Sequence, residues 1–427
     1  MNDADHKPLT SRMRADGAPV DLAVYERAGG YEGLRRALGM TPRAVQEEVV
    51  KANLLGRGGA GFPAGQKWAG TPMGPDAPRP KYVIANADEM EPGSFKDRLL
   101  MERDPHQLIE GLLIAAYAVE AQFGYIFLRW EYPPAARAIQ RALAEARERG
   151  YVGAKILGSE FGCEVLLHSS AGRYMCGEAW GLLDAMEGKS AVPRSRPPRA
   201  VEVGLWGKPT VVNNVETLCC VPHILRQGAA WFLSLSRSKE GGTKLYGASG
   251  RVKRPGLWEL PMGTTLGEVL NEHAGGMRDG YQFRGVMPGG ASSAFLVAEH
   301  MNVPLDFASV AKAGSRFGTG TLIVMDDKIC PVGVLVSLEQ FFARESCGWC
   351  TPCREGLPWV LHTLRAMEAG VGQPDDLRIL EDHVRMIRPH YTFCDLAPGA
   401  MAPLHSALRW FRDDLERHIR EHRCPWK

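Results

Sequence analysis

Residues 81–95 read KYVIANADEMEPGSF, an apolar run that ends in a polar, acidic loop. Two more β-rich runs follow, GYIFLRW at 124–130 and CEVLLHS at 163–169, separated by helical patterns at about 107–121 and 135–149. Strands alternating with helix-length patterns predict βαβαβ and a parallel sheet. Ligands of such sheets lie beyond the carboxyl ends of the strands, so NADEMEPGSF marks the expected binding edge. Upstream, residues 1–30 are polar with scattered charge and predict an arm that lies on a partner or stays mobile. Thr41 and Pro42 form an N-cap and first-turn pair, and Val45, Val49, Leu54 and Leu55 give a helical stripe up to Gly56. Downstream, 169–216 reads as loop. Short strand patterns (KLYGASG, GLWELP, FRGVMPGG) and a helical TTLGEVL then fill 243–325 as a small α+β insert. After Ser337 the apolar sets Leu361/Leu364/Met367, Leu377/Leu380/Val384 and Leu404/Leu408/Phe411/Leu415 predict a bundle of three or four helices. The expected division is an arm at 1–30, an α/β nucleotide-binding domain at 31–240, the insert at 241–328 and the bundle at 329–427.

Composition supports a folded, water-soluble chain. Of 427 residues, 45% are apolar and 23% charged, and 51 basic against 49 acidic residues leave a formal charge of +2. No field of one sign favours nucleic acid or an anionic membrane, so nucleic-acid binding is not expected. The most apolar stretch, Leu108 to Leu128, is interrupted by Glu110 and Glu120 and falls short of a transmembrane span, so direct membrane insertion is not expected. The first residues lack an apolar secretory core, which predicts a cytoplasmic, reducing location, and the ten cysteines are not read as disulfides.

Cys347, Cys350 and Cys353 stand as C-x2-C-x2-C in ESCGWCTPCREG, and Cys394 follows after a helix-sized gap. Three thiolates on one tight loop suit successive corners of a cuboidal iron–sulfur cluster better than structural zinc, which usually takes two separated knuckles or mixed Cys/His sets. The other six cysteines, Cys163, Cys176, Cys219, Cys220, Cys330 and Cys424, have no ligand spacing, and most read as small apolar fillers.

GRGGAGFPAGQKW contains Gly56, Gly58, Gly59 and Gly61, whose backbone N–H groups can approach a phosphate, with Arg57 and Lys67 to supply charge. It follows a helix instead of a strand, so as a dinucleotide fingerprint it is weak, and a flexible linker is the plain alternative. Across the crevice, Asn86, Asp88, Glu89 and Glu91 are placed to bind flavin or ribose hydroxyls. Tyr174, Gly177 and Glu178 in RYMCGE and Asn213 and Asn214 in VVNNVET are placed likewise.

GRGGAGFPAGQKW, NADEMEPGSFKDR, GLWGKPTVVNNVETL, KRPGLWELPMGTT and ESCGWCTPCREG together resemble the flavoprotein subunit of respiratory complex I, from about Gly33 to the C-terminus. Related subunits occur in NAD-linked formate dehydrogenases and hydrogenases. The resemblance implies a Rossmann-like FMN domain, a β-grasp-like (SLBB-type) insert and a helical bundle carrying one [4Fe-4S] cluster on Cys347, Cys350, Cys353 and Cys394. It implies FMN contacts at Gly56, Arg57, Gly58, Gly59, Lys67, Asn86, Asp88, Glu89, Tyr174, Gly177, Glu178, Val212, Asn213, Asn214 and Thr217. NADH would stack on Phe62 and reach Glu91, with Glu89 and Glu91 as the carboxylates nearest the reaction. The partners implied are a thioredoxin-like [2Fe-2S] subunit and the large iron–sulfur subunit of the peripheral arm, at the cytoplasmic face of the inner membrane. Three positions depart from the family pattern. CGEE reads CGEA, leaving Ala179, and KPPFPA reads RPPRAV, leaving Arg196 and Arg199. Losing a carboxylate beside the adenosine ribose while gaining an arginine predicts weaker NADH binding and relaxed selectivity that admits NADPH. The alternative is an electron conduit that keeps FMN and cluster but no longer oxidises a nucleotide.

Overall fold

A computed structural model describes residues 6–427. β1 (Tyr82–Ala87), β2 (Phe123–Arg129), β3 (Glu164–Ser170) and β4 (Thr210–Asn214) form one sheet in the order β3-β2-β1-β4, parallel throughout. The first three strands coincide with the runs read from sequence. β4 lies inside the segment expected as loop, because five residues among glycines and prolines show too little alternation to stand out. The Pro105–Ala118 helix is buried along nearly its whole length between this sheet and the Val215–Gln227 helix. That explains its apolar composition: it is covered by protein on every side. A Cβ at Gly111 would strike the Leu218 carbonyl, so glycine sets the closeness of the two helices. No helix among the described residues is long and apolar enough to cross a membrane.

A second sheet, in the order β6-β5-β8-β7, combines β5 (Thr243–Ser249), β6 (Gly256–Pro261), β7 (Phe283–Met287) and β8 (Thr321–Asp326). β5 and β8 run parallel, while β6 and β7 flank them antiparallel. Thr265 opens the short helix between β6 and β7 with a reciprocal capping box to Glu268. The helices Pro331–Glu345, Thr351–Glu368, Asp376–Met386, Leu396–Trp410 and Arg412–Glu421 share one core around Leu335, Leu357, Leu364, Leu380 and Leu404. This bundle has five helices where the sequence suggested three or four. The split falls at Phe411, where apolar spacing continues across a backbone break.

The N-terminal segment differs from expectation. Its residues 1–5 lie outside the described residues, but the rest sits on the body of its own chain. Leu9, Val20 and Tyr25 are buried. The amides of Leu9 and Thr10 donate to the Glu259 carboxylate at 3.0 and 2.8 Å, and Arg12 pairs with Asp104 at 2.8 Å. A few apolar anchors in a polar segment suffice when buried carboxylates await its amides.

Candidate functional site

The chain adds β2 and β3 on one side of β1 and β4 on the other. The sheet therefore reverses its order between β1 and β4, where a crevice opens past the strand ends. Asn86 and Asn214 are register partners at that crevice. Asn86 donates to the Cys176 carbonyl at 3.0 Å and accepts from the Asp88 amide. Asn213 accepts from the Trp68 indole at 2.9 Å. Asn214 caps the Val215–Gln227 helix, accepting from the Glu216 and Thr217 amides, and donates to Asp97 at 2.7 Å.

Over the end of β4 lies the glycine loop, closed by the Gly56 amide on the Phe62 carbonyl at 3.0 Å. Gly59 and Gly61 hold φ of +119° and +66°, and a Cβ at Gly58 would come within 2.9 Å of the Asn214 side chain. Both demands explain the glycines. The Arg57 amide donates to the Thr217 hydroxyl at 2.8 Å. Its guanidinium, however, is buried, donating to the Gly241 carbonyl at 2.6 Å, so Arg57 does not supply the loop's charge as expected. Lys67 remains. Its ammonium donates to the Val212 carbonyl at 2.8 Å, and no carboxylate pairs with it among the described residues. Burial, then repulsion from Arg196, lowers its pKa to about 8. A half-buried cation without an anion, beside backbone amides freed by glycine, fits a phosphate group. Phe62 presents its ring to solvent on the same loop.

The acidic residues divide. Glu89 accepts from the Lys96, Asp97 and Arg98 amides at 2.9–3.1 Å and from Ser94. Its carboxylate is fully engaged at a helix start, which argues against the direct part in the reaction expected of it. Asp88 accepts from Ser170 at 2.9 Å, its second oxygen is buried without a partner among the described residues, and burial raises its pKa to about 6. Glu91 accepts from the Tyr174 hydroxyl and the Ser292 amide, both at 2.7 Å, and burial raises its pKa. Glu178 caps the Ala179–Met186 helix through the Trp180 and Gly181 amides and pairs with Arg196 at 2.6 Å. Arg199 is exposed and pairs with Glu202 at 2.6 Å, its guanidinium near Gly70. A Cβ on Gly177 would meet nothing within 4 Å, so open space faces it.

Cys347, Cys350, Cys353 and Cys394 line one pocket with Met175, Thr392, Leu396 and Ala397. Cys350 directly precedes the Thr351–Glu368 helix and Cys394 lies just before the Leu396–Trp410 helix, so two positive helix ends lie beside the sulfurs. The Phe393 amide donates to Cys350 Sγ at 3.3 Å, and Ser346 Oγ lies 3.1 Å from Cys353 Sγ. Burial pushes the Cys353 thiol up to about 11 and Cys394 to about 12. Four sulfurs converging on one pocket suit a cationic iron–sulfur core. The two regions share a wall: Tyr174 reaches Glu91, Met175 lines the cysteine pocket and the Cys176 carbonyl holds Asn86.

Three family descriptions match successive parts of the chain. These are Nuo51 FMN-binding domain at residues 49–223, SLBB domain at 248–295, and NADH-ubiquinone oxidoreductase-F iron-sulfur binding region at 333–418. The F subunit of NADH-quinone oxidoreductase in Salmonella typhimurium is 53% identical over 97% of this chain and 93% of its own length, and that of Escherichia coli matches equally. The corresponding F 2 protein of Rhizobium meliloti is 49% identical over 95% of this chain and 96% of its own length. Among solved structures, a chain of the NAD+-reducing [NiFe]-hydrogenase in the H2-reduced state superposes with a TM-score of 0.81 at 33% identity, covering 97% of this chain and 67% of that one. Sequence kinship over nearly the full length, the parallel sheet with its glycine loop and the four-cysteine pocket agree: this chain belongs to the family of NADH-quinone oxidoreductase F subunits.

Proposed function

We propose that this chain is the electron-entry subunit of a complex I type NADH:quinone oxidoreductase. Bound FMN would supply conversion of the electron pair of one hydride into single electrons, and a bound [4Fe-4S] cluster would supply a one-electron relay. The observation that carries the reading is the shared wall at Tyr174–Gly177, which brings the β1/β4 crevice and the cysteine pocket within one turn of chain. Lys67 and the glycine loop hold the phosphate. Asn86, Asp88 and the open face at Gly177 border the isoalloxazine and ribityl chain, while Thr217, Asn213, Asn214 and Val212 build the floor beneath them. Phe62 offers a stacking surface for the nucleotide, and Glu91, oriented by Tyr174 and Ser292, accepts from it. Cys347, Cys350, Cys353 and Cys394 ligate the cluster. The parts of the complex that receive the electrons are a [2Fe-2S] thioredoxin-like subunit and a large iron–sulfur subunit, at the cytoplasmic face of the membrane. Anaerobic stopped-flow mixing of the holoprotein with NADH tests the reading. Rapid bleaching of the flavin and ferricyanide-linked turnover are expected. Flavin and cluster that remain oxidised with both NADH and NADPH would leave a conduit that no longer oxidises nucleotides.

A further inference from the structure

Two of the cysteines outside the cluster pocket meet at the far side of the bundle. Cys330 Sγ lies 3.6 Å from Cys424 Sγ, 3.2 Å from His418 Nε2 and 3.3 Å from Glu368 Oε2, and the last two atoms are 3.4 Å apart. All four ligand atoms fall within 4.8 Å of one another. Zinc bound to sulfur at about 2.3 Å and to nitrogen or oxygen at about 2.0 Å would have tetrahedral edges of roughly 3.3–3.8 Å. The measured separations are close to those edges, and the sulfurs stand far beyond the roughly 2 Å of a disulfide.

We propose that Cys330, Glu368, His418 and Cys424 form a structural zinc site, distinct from the four-cysteine pocket, that clamps the last helix and the tail onto the bundle. Surrounding groups favour it. His418 is fully buried, and its Nδ1 lies 2.7 Å from the Asp414 carbonyl. An N–H donated there leaves the Nε2 lone pair directed at the cluster of ligand atoms, the arrangement that orients metal-bound imidazoles. Cys330 caps the Pro331–Glu345 helix and accepts from the Gly333 amide at 3.3 Å, so a helix N-terminus supports its thiolate. The second Glu368 oxygen pairs with Lys427 at 2.8 Å. Zinc with two thiolates, one carboxylate and a neutral imidazole carries one negative charge, which Lys427 neutralises. A closed set of two sulfurs, one nitrogen and one oxygen leaves no open position, as structural sites require. The four ligands come from a strand–helix junction, a helix end, the final helix and the tail, so the ion would join segments that the chain leaves separate.

Elemental analysis of the full-length holoprotein tests the site. We expect about one zinc per chain beside about four irons, and X-ray absorption at the zinc edge should show two sulfur and two nitrogen or oxygen neighbours. Cys330→Ser with Cys424→Ser should lose the zinc, keep iron and FMN, and melt at lower temperature. Cys394→Ala should do the reverse, losing iron and keeping zinc. Should the double variant not fold, cobalt loaded into the wild-type holoprotein still decides, since tetrahedral thiolate ligation gives intense visible bands. The proposal is overturned by holoprotein that neither carries nor takes up zinc or cobalt, by zinc that persists in the double variant, or by a Cys330–Cys424 disulfide in mass analysis. A failed iron count with zinc intact would instead count against the electron-entry reading.

Discussion

Lys67 carries a charge into a half-buried crevice with the Val212 carbonyl as its hydrogen-bond partner, and its pKa of about 8 records that cost. A phosphate beside it would favour the charged form and raise that pKa. Binding strength that depends on the charge is therefore fully present below about pH 8 and is lost as pH rises above it. FMN dissociation measured from pH 6 to 10 should show the constant climbing above about pH 8. Lys67→Met should weaken binding throughout and flatten the profile, and a wild-type profile already flat would remove Lys67 from the phosphate site. Arg199 is a weaker determinant than its sequence position suggested. It is exposed and already paired with Glu202, and solvent screens such pairs strongly. Arg199→Phe should then shift the NADPH over NADH ratio of kcat/KM by less than about fivefold. Ala179→Glu, at the helix start beside Glu178, should lower that ratio further, and an unchanged ratio in the double variant would end the case for relaxed selectivity.

The Lys96–Arg103 helix begins without a cap from its own preceding residue, Phe95. Glu89, seven residues upstream, takes that place with three backbone amides on one carboxylate. The acidic loop is thus held against the helix that follows it, and Asp88 and Glu91 inherit their positions. An N-cap contributes about 1 kcal/mol and hydrogen bonds to a charged group somewhat more. Glu89→Ala should destabilise the chain by about 1–3 kcal/mol in urea titration. Flavin retention should fall with it, whereas a stable variant with impaired nucleotide oxidation would restore Glu89 to a direct part in the reaction.

Between the two sheets runs a buried ion network. Glu216, at the start of the helix after β4, pairs with Lys96 and with Lys244 of β5, both at 2.9 Å, and accepts from the Leu245 amide. Burial alone would raise the Glu216 pKa, but Lys244, Lys96 and Arg57 outweigh it and hold the group at about 2. This stabilisation is present above the ordinary glutamate range and is lost as pH falls from about 4.5 toward 2. Glu216→Gln leaves the buried Lys244 ammonium without a carboxylate while Lys96 keeps Asp97 at 2.7 Å, a loss of about 3–5 kcal/mol. Acid unfolding followed by circular dichroism should show the wild-type transition within that window and a variant already weakened at neutral pH. Equal stability of the two at pH 7 would dismiss the network as a joint between the sheets.

Three strands, the long helices, the glycine loop and the C-x2-C-x2-C motif were legible because each is written in neighbouring residues, as period, turn chemistry or ligand spacing. The carboxyl ends of the parallel strands then located the crevice from sequence alone. Other features depend on which distant surfaces meet. β4 pairs with β1 across about 120 intervening residues. The N-terminal segment docks because Glu259 and Asp104 receive it, and Arg57 turns inward to the Gly241 carbonyl of a distant segment. Cys330 and Cys424, which read as fillers for want of spacing, meet only when the last helix folds back over the bundle. Local pattern is set by adjacent side chains, whereas a charge or thiol finds its role from whatever packing brings within a few ångströms of it.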